Sequence, residues 1–157
     1  MPASDITFRT ATLHDCAVIL HHRRSMFRDM GKGTVEELDQ MVEATRPWLE
    51  RALGDGSYRG WLAQTRDGNV VAGGGVLISS WPARPEDFST RRALIINVYT
   101  EPEARKQGIA RELMLLIIQW LREQDFGSVV LHASDAGRSL YEKLGFAPTN
   151  EMRLQLK

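Results

Sequence analysis

The sequence predicts a mixed α/β fold with about four helices around a central sheet, and three observations lead to this prediction. Short segments of alternating apolar residues are interspersed with longer ones in which apolar residues recur every three or four positions. Asp-Gly at residues 67–68 separates two strand-like segments, as in an antiparallel hairpin. The segment 92–99 is apolar on both faces, which is typical of a strand inside a sheet.

The first strand and the first helix are predicted from alternation and capping. Apolar and polar residues alternate near residues 4–10, which predicts a strand. Thr12 or Asp15 can cap the helix that follows, and the glycines after Met30 end it.

A second helix is predicted from the capping-box spacing of Thr34 and Glu37. Pro47 would kink this helix or divide it, because proline removes a backbone donor. The glycines of residues 54–56 end it. Two hairpin strands and a proline-containing loop then lead to the strand at 92–99.

The second half of the chain alternates helices and strands. Residues 113–121 carry a broad apolar helical face, and 128–133 form a strand-like run. A short helix capped by Ser134 or Asp135 extends to Leu144. Met152, Leu154 and Leu156 alternate with polar residues and predict a final edge strand. The predicted order is strand, two helices, three strands, helix, strand, helix, strand.

Composition limits the classes of function. A chain of 157 residues fits one domain, here residues 1–157, and its formal net charge is zero. Nothing in this balance predicts a nucleic-acid or membrane partner. The single cysteine, Cys16, fits a reducing compartment, and the first ten residues lack the apolar core of a signal peptide. We therefore expect a cytoplasmic protein without a membrane span.

The junction between the strand at 92–99 and the next helix has the composition of an anion site. The first N–H groups of a helix lack partners, and the helix dipole adds positive potential. Gly108 permits close approach of a ligand to the backbone, while Arg105, Lys106 and Arg111 supply charge. The alternative is a solvated helix start with ordinary surface cations. The spacing matches neither the P-loop motif G-x-x-x-x-G-K-[ST] nor the dinucleotide-binding motif G-x-G-x-x-G.

Two motifs resemble those of the GCN5-related N-acetyltransferases. The segment VYTEPEARKQGIARELM (98–114) is similar to their acyl-CoA-binding motif, R/Q-x-x-G-x-G/A, with Arg105, Gly108 and Ala110 at its defined positions. LHASDAGRSLYEKLGF (131–146) resembles their second hallmark, a strand followed by a tyrosine-containing helix and Leu-Gly-Phe. The order and separation of the two motifs identify the chain as a member of this family.

The resemblance implies a central, mixed and mostly antiparallel sheet, acetyl-CoA as cofactor, and direct acetyl transfer in a ternary complex. The acceptor would be a primary amine of a small molecule or peptide, and a homodimer is compatible with the family. The cofactor-binding residues that the resemblance implies are Val98, Tyr99, Thr100, Arg105, Lys106, Gln107, Gly108, Ile109, Ala110, Arg111, Ser134 and Tyr141.

The catalytic roles also follow from the resemblance. Tyr141 would be the general acid, and the backbone N–H of Val98 would polarise the thioester carbonyl. Ser134 replaces an asparagine found in many members, and Arg92 stands where some have a base glutamate. His132 is a candidate substitute base. The alternatives are a tyrosine that only packs, a solvent-linked histidine, and a water chain that takes the proton.

The end of the first helix is where the family builds its acceptor pocket. The candidate lining residues are His22, Arg24, Met26, Phe27 and Asp29, although a packed helix with solvated cations would look the same.

The nature of the acceptor stays open at this point. Arg23, Arg24 and Arg28 favour an acceptor that carries a carboxylate or phosphate, whereas nearby acidic residues favour a polyamine. The histidines near Cys16 lack ligand spacing, so no metal is predicted. The glycines at residues 73–75 suggest a bulge or a close backbone approach.

Two rival functions remain. The missing aligned base favours a catalytically weak acyl-CoA-binding sensor or regulatory module, whereas Tyr141 favours an enzyme. A purely structural interaction domain fits the paired motifs poorly.

Overall fold

The computed structural model describes residues 5–157, which form one five-stranded sheet with helices on both faces. The strands are β1 (Ile6–Thr10), β2 (Tyr58–Thr65), β3 (Val70–Ser80), β4 (Arg91–Thr100) and β5 (Val129–Leu131). The helices of this part of the chain are α1 (Cys16–Asp29), α2 (Val35–Asp55), α3 (Ile109–Glu123) and α4 (Asp135–Lys143). The strand order is β1-β2-β3-β4-β5, and only β4 and β5 run parallel. The predicted fold class is confirmed.

Two capping boxes occur near the starts of the first helices, although Asp15, the N-cap of α1 itself, forms no side-chain capping hydrogen bond. Thr12 forms a capping box with Asp15 on a short 3-10 turn that leads into α1. Thr34 and Glu37 form the predicted capping box of α2. The helix α2 continues through Pro47 and is not divided. The predicted start of β1 at residue 4 lies outside the described residues.

Two apolar clusters lie on opposite faces of the sheet. On one face α1 and α2 pack against β2, and on the other α3 packs against β2, β3 and β4. Fully buried residues of the α3 face include Val76, Leu113, Met114 and Ile117. Burial on both faces explains why β4 reads as apolar throughout.

β4 contains a bulge opposite the glycine run of β3. Residues 97–98 lie opposite the single residue Gly74, and Asn97 has a left-handed φ of +60°. The glycines also permit close approach: a Cβ at Gly73 would lie 2.9 Å from Nδ1 of His22. Both expectations for this run are therefore confirmed.

Two predictions about the end of the chain are wrong. β5 is three residues long, so His132 follows the strand instead of lying within it. Residues 147–157 form no strand, and the side chains of Met152, Leu154 and Leu156 are 80–94% exposed. Alternation of apolar residues specifies which face a strand buries but supplies no pairing partner, and this segment has none in the described structure.

Candidate active site

The fourth and fifth strands diverge and leave part of β4 unpaired. Their pairing covers only Ala93–Ile95 against Val129–Leu131, whereas β4 continues to Thr100. Over residues 96–100, β4 pairs with β3 along one edge, and no described strand lies along the other. This stretch is therefore a sheet edge at which an extended ligand can form backbone hydrogen bonds.

The turn after β4 places an uncapped helix N-terminus next to that edge. Lys106 and Gly108 have φ values of +61° and +81°, and Gly108 is the N-cap of α3. No side chain accepts a hydrogen bond at this cap. A Cβ at Gly108 would have no heavy atom within 4 Å, so the space beside this N-cap is open. Such a terminus attracts anions.

A shallow cavity of about 230 Å³ lies over this helix start. Its lining consists of Thr100, Ala104, Arg105, Lys106, Gly108, Ile109, Ala110, Arg111 and Leu140. Ile109 is buried against Ala63 and Ala104 and anchors the turn to the sheet. Lys106 and Arg111 are exposed, and Gln107 donates to the carbonyl of Glu103. Seven of the predicted cofactor residues are thus brought together around one cavity.

Arg105 holds the turn in place instead of extending freely into solvent. Its Nε donates to the carbonyl of Thr100 at 2.9 Å, and its Nη2 donates to Oδ2 of Asp29 at 2.6 Å. The hydrogen bond from Arg105 lowers the pKa of Asp29, so this carboxylate stays charged. Asp29, a predicted acceptor-pocket residue, therefore connects the end of α1 to the turn that precedes α3.

The side chain of Tyr141 lies on α4 and is half-buried. Its ring packs edge-on against Phe146 with 5.9 Å between ring centroids. Burial raises the pKa of Tyr141, so the phenol keeps its proton through neutral and mildly alkaline pH. Ser134 is the N-cap of α4 and accepts a hydrogen bond from the amide of Gly137 at 3.2 Å.

A second cavity, of about 360 Å³, opens beside β5. Tyr141, His132 and Glu151 all line it. Nε2 of His132 lies 3.4 Å from Oε1 of Glu151, and Nη2 of Arg92 lies 3.9 Å from Oε2 of the same carboxylate. Sequence reasoning missed Glu151, because an acidic residue in an unstructured segment gives no signal of its own.

The structure places His22 in the interior. The side chain is 1% exposed and contacts the backbone of Gly73, and its ring lies 5.4 Å from that of Tyr99. Burial lowers the pKa of His22 to about 4, so the imidazole is neutral at pH 7. In this conformation His22 packs α1 against the sheet and does not face an open cavity.

The other predicted pocket residues divide into paired and packed groups. Nε of Arg24 donates to Asp39 at 2.8 Å, and Met26 is partly buried. The guanidinium of Arg23 lies over the ring of Phe27 at 5.1 Å and donates from Nη1 to Oδ1 of Asn97 at 2.9 Å. Asn97 was not predicted, although asparagine is among the few residues that tolerate its left-handed backbone.

Two negative findings apply to residues 5–157. None of their helices combines the length and the apolar character needed to cross a membrane. No three of their histidine, cysteine or acidic side chains are grouped closely enough to hold a metal ion.

The unpaired edge of β4 and the uncapped start of α3 adjoin one another, as expected from the two motifs. The chain belongs to the acetyltransferase (GNAT) family, whose model matches residues 17–146. The family resemblance inferred from the two motifs is therefore confirmed.

Curated relatives are similar over part of their length. N-acetyltransferase 8 of Homo sapiens is 27% identical over 94 residues, which is 58% of this chain and 39% of that protein. The probable N-acetyltransferase family 8 member 5 of Mus musculus is 28% identical over 114 residues, 71% of this chain and 46% of that protein. The chain thus spans less than half the length of these relatives.

Solved structures match over almost the whole chain. A GCN5-related N-acetyltransferase from Ralstonia eutropha JMP134 has a TM-score of 0.90 and 33% identity, and the match covers 96% of this chain and 98% of that one. A predicted acetyltransferase with acetyl-CoA from Clostridium acetobutylicum has a TM-score of 0.85 and 24% identity, with 97% and 96% covered. The second match shows the fold alone.

Proposed function

We propose that residues 1–157 form one N-acetyltransferase domain that moves an acetyl group from acetyl-CoA to a primary amine of a small molecule or peptide. The transfer is direct, within a ternary complex. One observation supports this most strongly: the unpaired edge of β4 leads straight into the uncapped N-terminus of α3. An extended arm and its anionic end can thus be bound by one continuous segment.

The residues present fit this cofactor. The backbone of Val98, Tyr99 and Thr100 forms the free edge that suits the pantetheine arm, and the amides from Lys106 to Arg111 suit the pyrophosphate. Gly108 leaves room for an anion, since a Cβ there would meet no atom within 4 Å. When bound, acetyl-CoA supplies the acetyl group as a thioester. The amide N–H of Val98, at the bulge, is the proposed donor to its carbonyl.

Tyr141 is the proposed proton donor to the departing thiolate. Proton transfer from a phenol of pKa about 10 to a thiolate whose conjugate thiol has a pKa of about 8.5 is uphill by about 2 kcal/mol, a cost that the acyl transfer must offset. Burial raises the pKa of Tyr141 further, which keeps the donor protonated before the reaction. The half-buried position of the ring leaves the hydroxyl able to reach the cavity beside β5.

His132 is the proposed proton acceptor for the incoming amine, which must be uncharged to attack a carbonyl. Imidazole exchanges protons near neutral pH. The carboxylate of Glu151, 3.4 Å from Nε2, can hold the ring with its proton on Nε2 and leave Nδ1 as the base. Arg92 balances part of the charge of Glu151. The alternative acceptor is a water chain through the same cavity.

The alternative function is an acyl-CoA-binding sensor with little catalysis. Arg92 supports this alternative, because it occupies the strand position where some members of the family have a base glutamate. Its guanidinium lies 4.4 Å from the centre of the Trp81 ring.

Thiol release from acetyl-CoA, measured with a mixed amine panel, tests the proposal together with the thermal shift that acetyl-CoA produces. If the protein is an enzyme, we expect both a thermal shift with acetyl-CoA and amine-dependent thiol release. If it is a sensor, we expect the thermal shift alone. Absence of both would contradict the proposed function.

Two further points concern the setting of the protein. The buried free thiol of Cys16 suits a reducing cytoplasm, where we place the protein. A homodimer is compatible with the family, and light scattering of the purified chain measures the assembly directly.

A further inference from the structure

Three arginines of α1 lie near the proposed acceptor side, and two of them are neutralised. Arg24 pairs with Asp39 at 2.8 Å, and Arg28 pairs with Asp29 at 2.9 Å. Arg23 differs: within residues 5–157, no carboxylate oxygen lies within the 4.0 Å of an ion pair from its guanidinium. Its hydrogen-bond partner is instead a neutral amide, Oδ1 of Asn97 at 2.9 Å.

The surroundings of Arg23 make this lack of a counterion costly. The side chain is half-buried, and its Nε is a buried donor without a partner. One face of the guanidinium covers the ring of Phe27. The N–H donors of Arg23 point outward within the plane of the guanidinium, so this contact does not use them. A partly desolvated cation with spare donors is stabilised by any anion that can approach it.

Arg23 also lies at the bulge next to the proposed reaction centre. Its partner Asn97 immediately precedes Val98, the residue whose N–H is proposed to bind the thioester carbonyl. On this face of the sheet, Leu94, Ile96 and Val130 are only half-buried, so α1 and α2 leave the surface beside the bulge accessible. The guanidinium is therefore hydrogen-bonded to the residue that directly precedes the proposed thioester-binding amide.

We propose that Arg23, supported by Asn97, binds an oxyanion of the acceptor, so that the substrate is a small primary amine carrying a carboxylate or a phosphate. This inference rests on the proposed acetyltransferase function. The planar fork of arginine binds either group through two parallel hydrogen bonds. The same positive charge disfavours polyamines. Of the three arginines that the sequence associated with an anionic acceptor, Arg23 is thus the proposed anchor.

Matched acceptors test the class of substrate. L-amino acids are compared with their primary amides, and 2-aminoethyl phosphate is compared with ethanolamine, by thiol release from acetyl-CoA. A hydrogen-bonded ion pair changes affinity by about 10- to 100-fold, so kcat/KM for the better oxyanion acceptor should exceed that of its neutral partner by about this factor. The two pairs distinguish a carboxylate from a phosphate.

Variants test the anchor. In Arg23→Gln the oxyanion preference should fall to within about 3-fold of unity, and in Arg23→Lys part of it should remain, because the charge is kept. Asn97→Asp supplies an internal carboxylate to Arg23 and should also remove the preference. Arg46→Gln, which changes an exposed arginine of α2 paired with Glu43, is the control and should keep it.

A binding measurement separates recognition from turnover. Calorimetry of the purified chain with an N-acetyl amino acid and its amide should show the preference in the wild type and its loss in Arg23→Gln. The inference is overturned if the wild type prefers neutral amines or polyamines, or turns over no oxyanion-bearing amine. Loss of the preference in Arg24→Gln but not in Arg23→Gln also overturns it. If thermal shift and thiol release both fail with every amine, the proposed function fails as well.

Discussion

Gly108 offers a sharp test of the assigned cofactor site. We consider Gly108→Leu, which places a side chain at the N-cap of α3, where φ is +81° and no atom lies within 4 Å of the added Cβ. An L-residue in the left-handed region costs about 1–2 kcal/mol. For a chain of this size, this lowers Tm by about 2–8 °C.

The effect on the ligand is separate from that loss of stability. Acetyl-CoA at about 100 times its Kd should stabilise the wild type by about 2.7 kcal/mol, or about 5–11 °C in Tm. The leucine side chain projects into the open space over the helix start. If it raises Kd 100-fold, only about 0.4 kcal/mol remains, which is about 1 °C.

Gly56→Leu is the matched control. Gly56 caps the end of α2, has the same φ of +81°, and also has no atom within 4 Å of its added Cβ. Its apo Tm should fall as in Gly108→Leu, while the shift with acetyl-CoA stays at the wild-type value. Thermal unfolding with and without the cofactor measures both quantities. A full ligand shift in Gly108→Leu would refute the assignment of the pyrophosphate to this turn.

Three more outcomes follow from the described contacts. Tyr141→Phe should lower kcat by about 10²- to 10⁴-fold while calorimetric binding of acetyl-CoA changes only a few-fold; equal turnover, with chemistry shown to be rate-limiting, would exclude the acid role. Asp15→Asn should cost about 2 kcal/mol in urea unfolding at pH 7, because the hydrogen bond from Arg9 lowers the pKa of Asp15 to about 2. A carboxylate whose pKa is lowered by folding stabilises the folded state at pH values above its unfolded pKa, and this stabilisation is lost as the pH falls through the folded pKa. About half of the difference in unfolding free energy between wild type and variant should therefore remain at pH 3. A difference that does not change with pH would contradict the assignment. Gly73→Ala should destabilise by about 1–3 kcal/mol in the same assay, since its Cβ would lie 2.9 Å from Nδ1 of His22, and an unchanged midpoint would mean that α1 moves aside freely.

Local signals predicted most of the fold. Capping boxes and the Asp-Gly hairpin each act within a few residues, so their spacing alone predicts the local structure. Thr34 and Glu37, for example, satisfy two helix-end donors without help from the rest of the chain. The turn at Gly108 is of the same kind, which is why the helix start that follows it could be predicted.

Contacts between distant segments could not be predicted in this way. Arg23 and Asn97 are 74 positions apart, and Asp29 and Arg105 are 76 apart. Neither pair has a periodicity that would indicate contact. The bulge adds a second difficulty, because one extra residue reverses which face of β4 each later side chain joins.

The predicted final strand is an error of the opposite kind, because the sequence indicated an element that the structure does not form. Met152, Leu154 and Leu156 have the alternation of a strand but remain exposed, and β5 provides only three residues of ladder. Periodicity describes a segment's preference for one buried face, whereas pairing depends on the length and accessibility of a neighbour.

The divergence of β4 from β5 also bears on how the protein behaves in solution when it lacks its cofactor. Backbone donors and acceptors along an unpaired strand are a template for any other extended chain, and natural sheets normally blunt such edges with charge, proline or a covering segment. Residues 96–100 contain neither a charged side chain nor a proline. A pantetheine arm bound there would act as the missing cover. Under the proposed function, acetyl-CoA would be both a reactant and a cover for this edge, so its concentration would affect how long the folded chain persists as well as how fast it turns over.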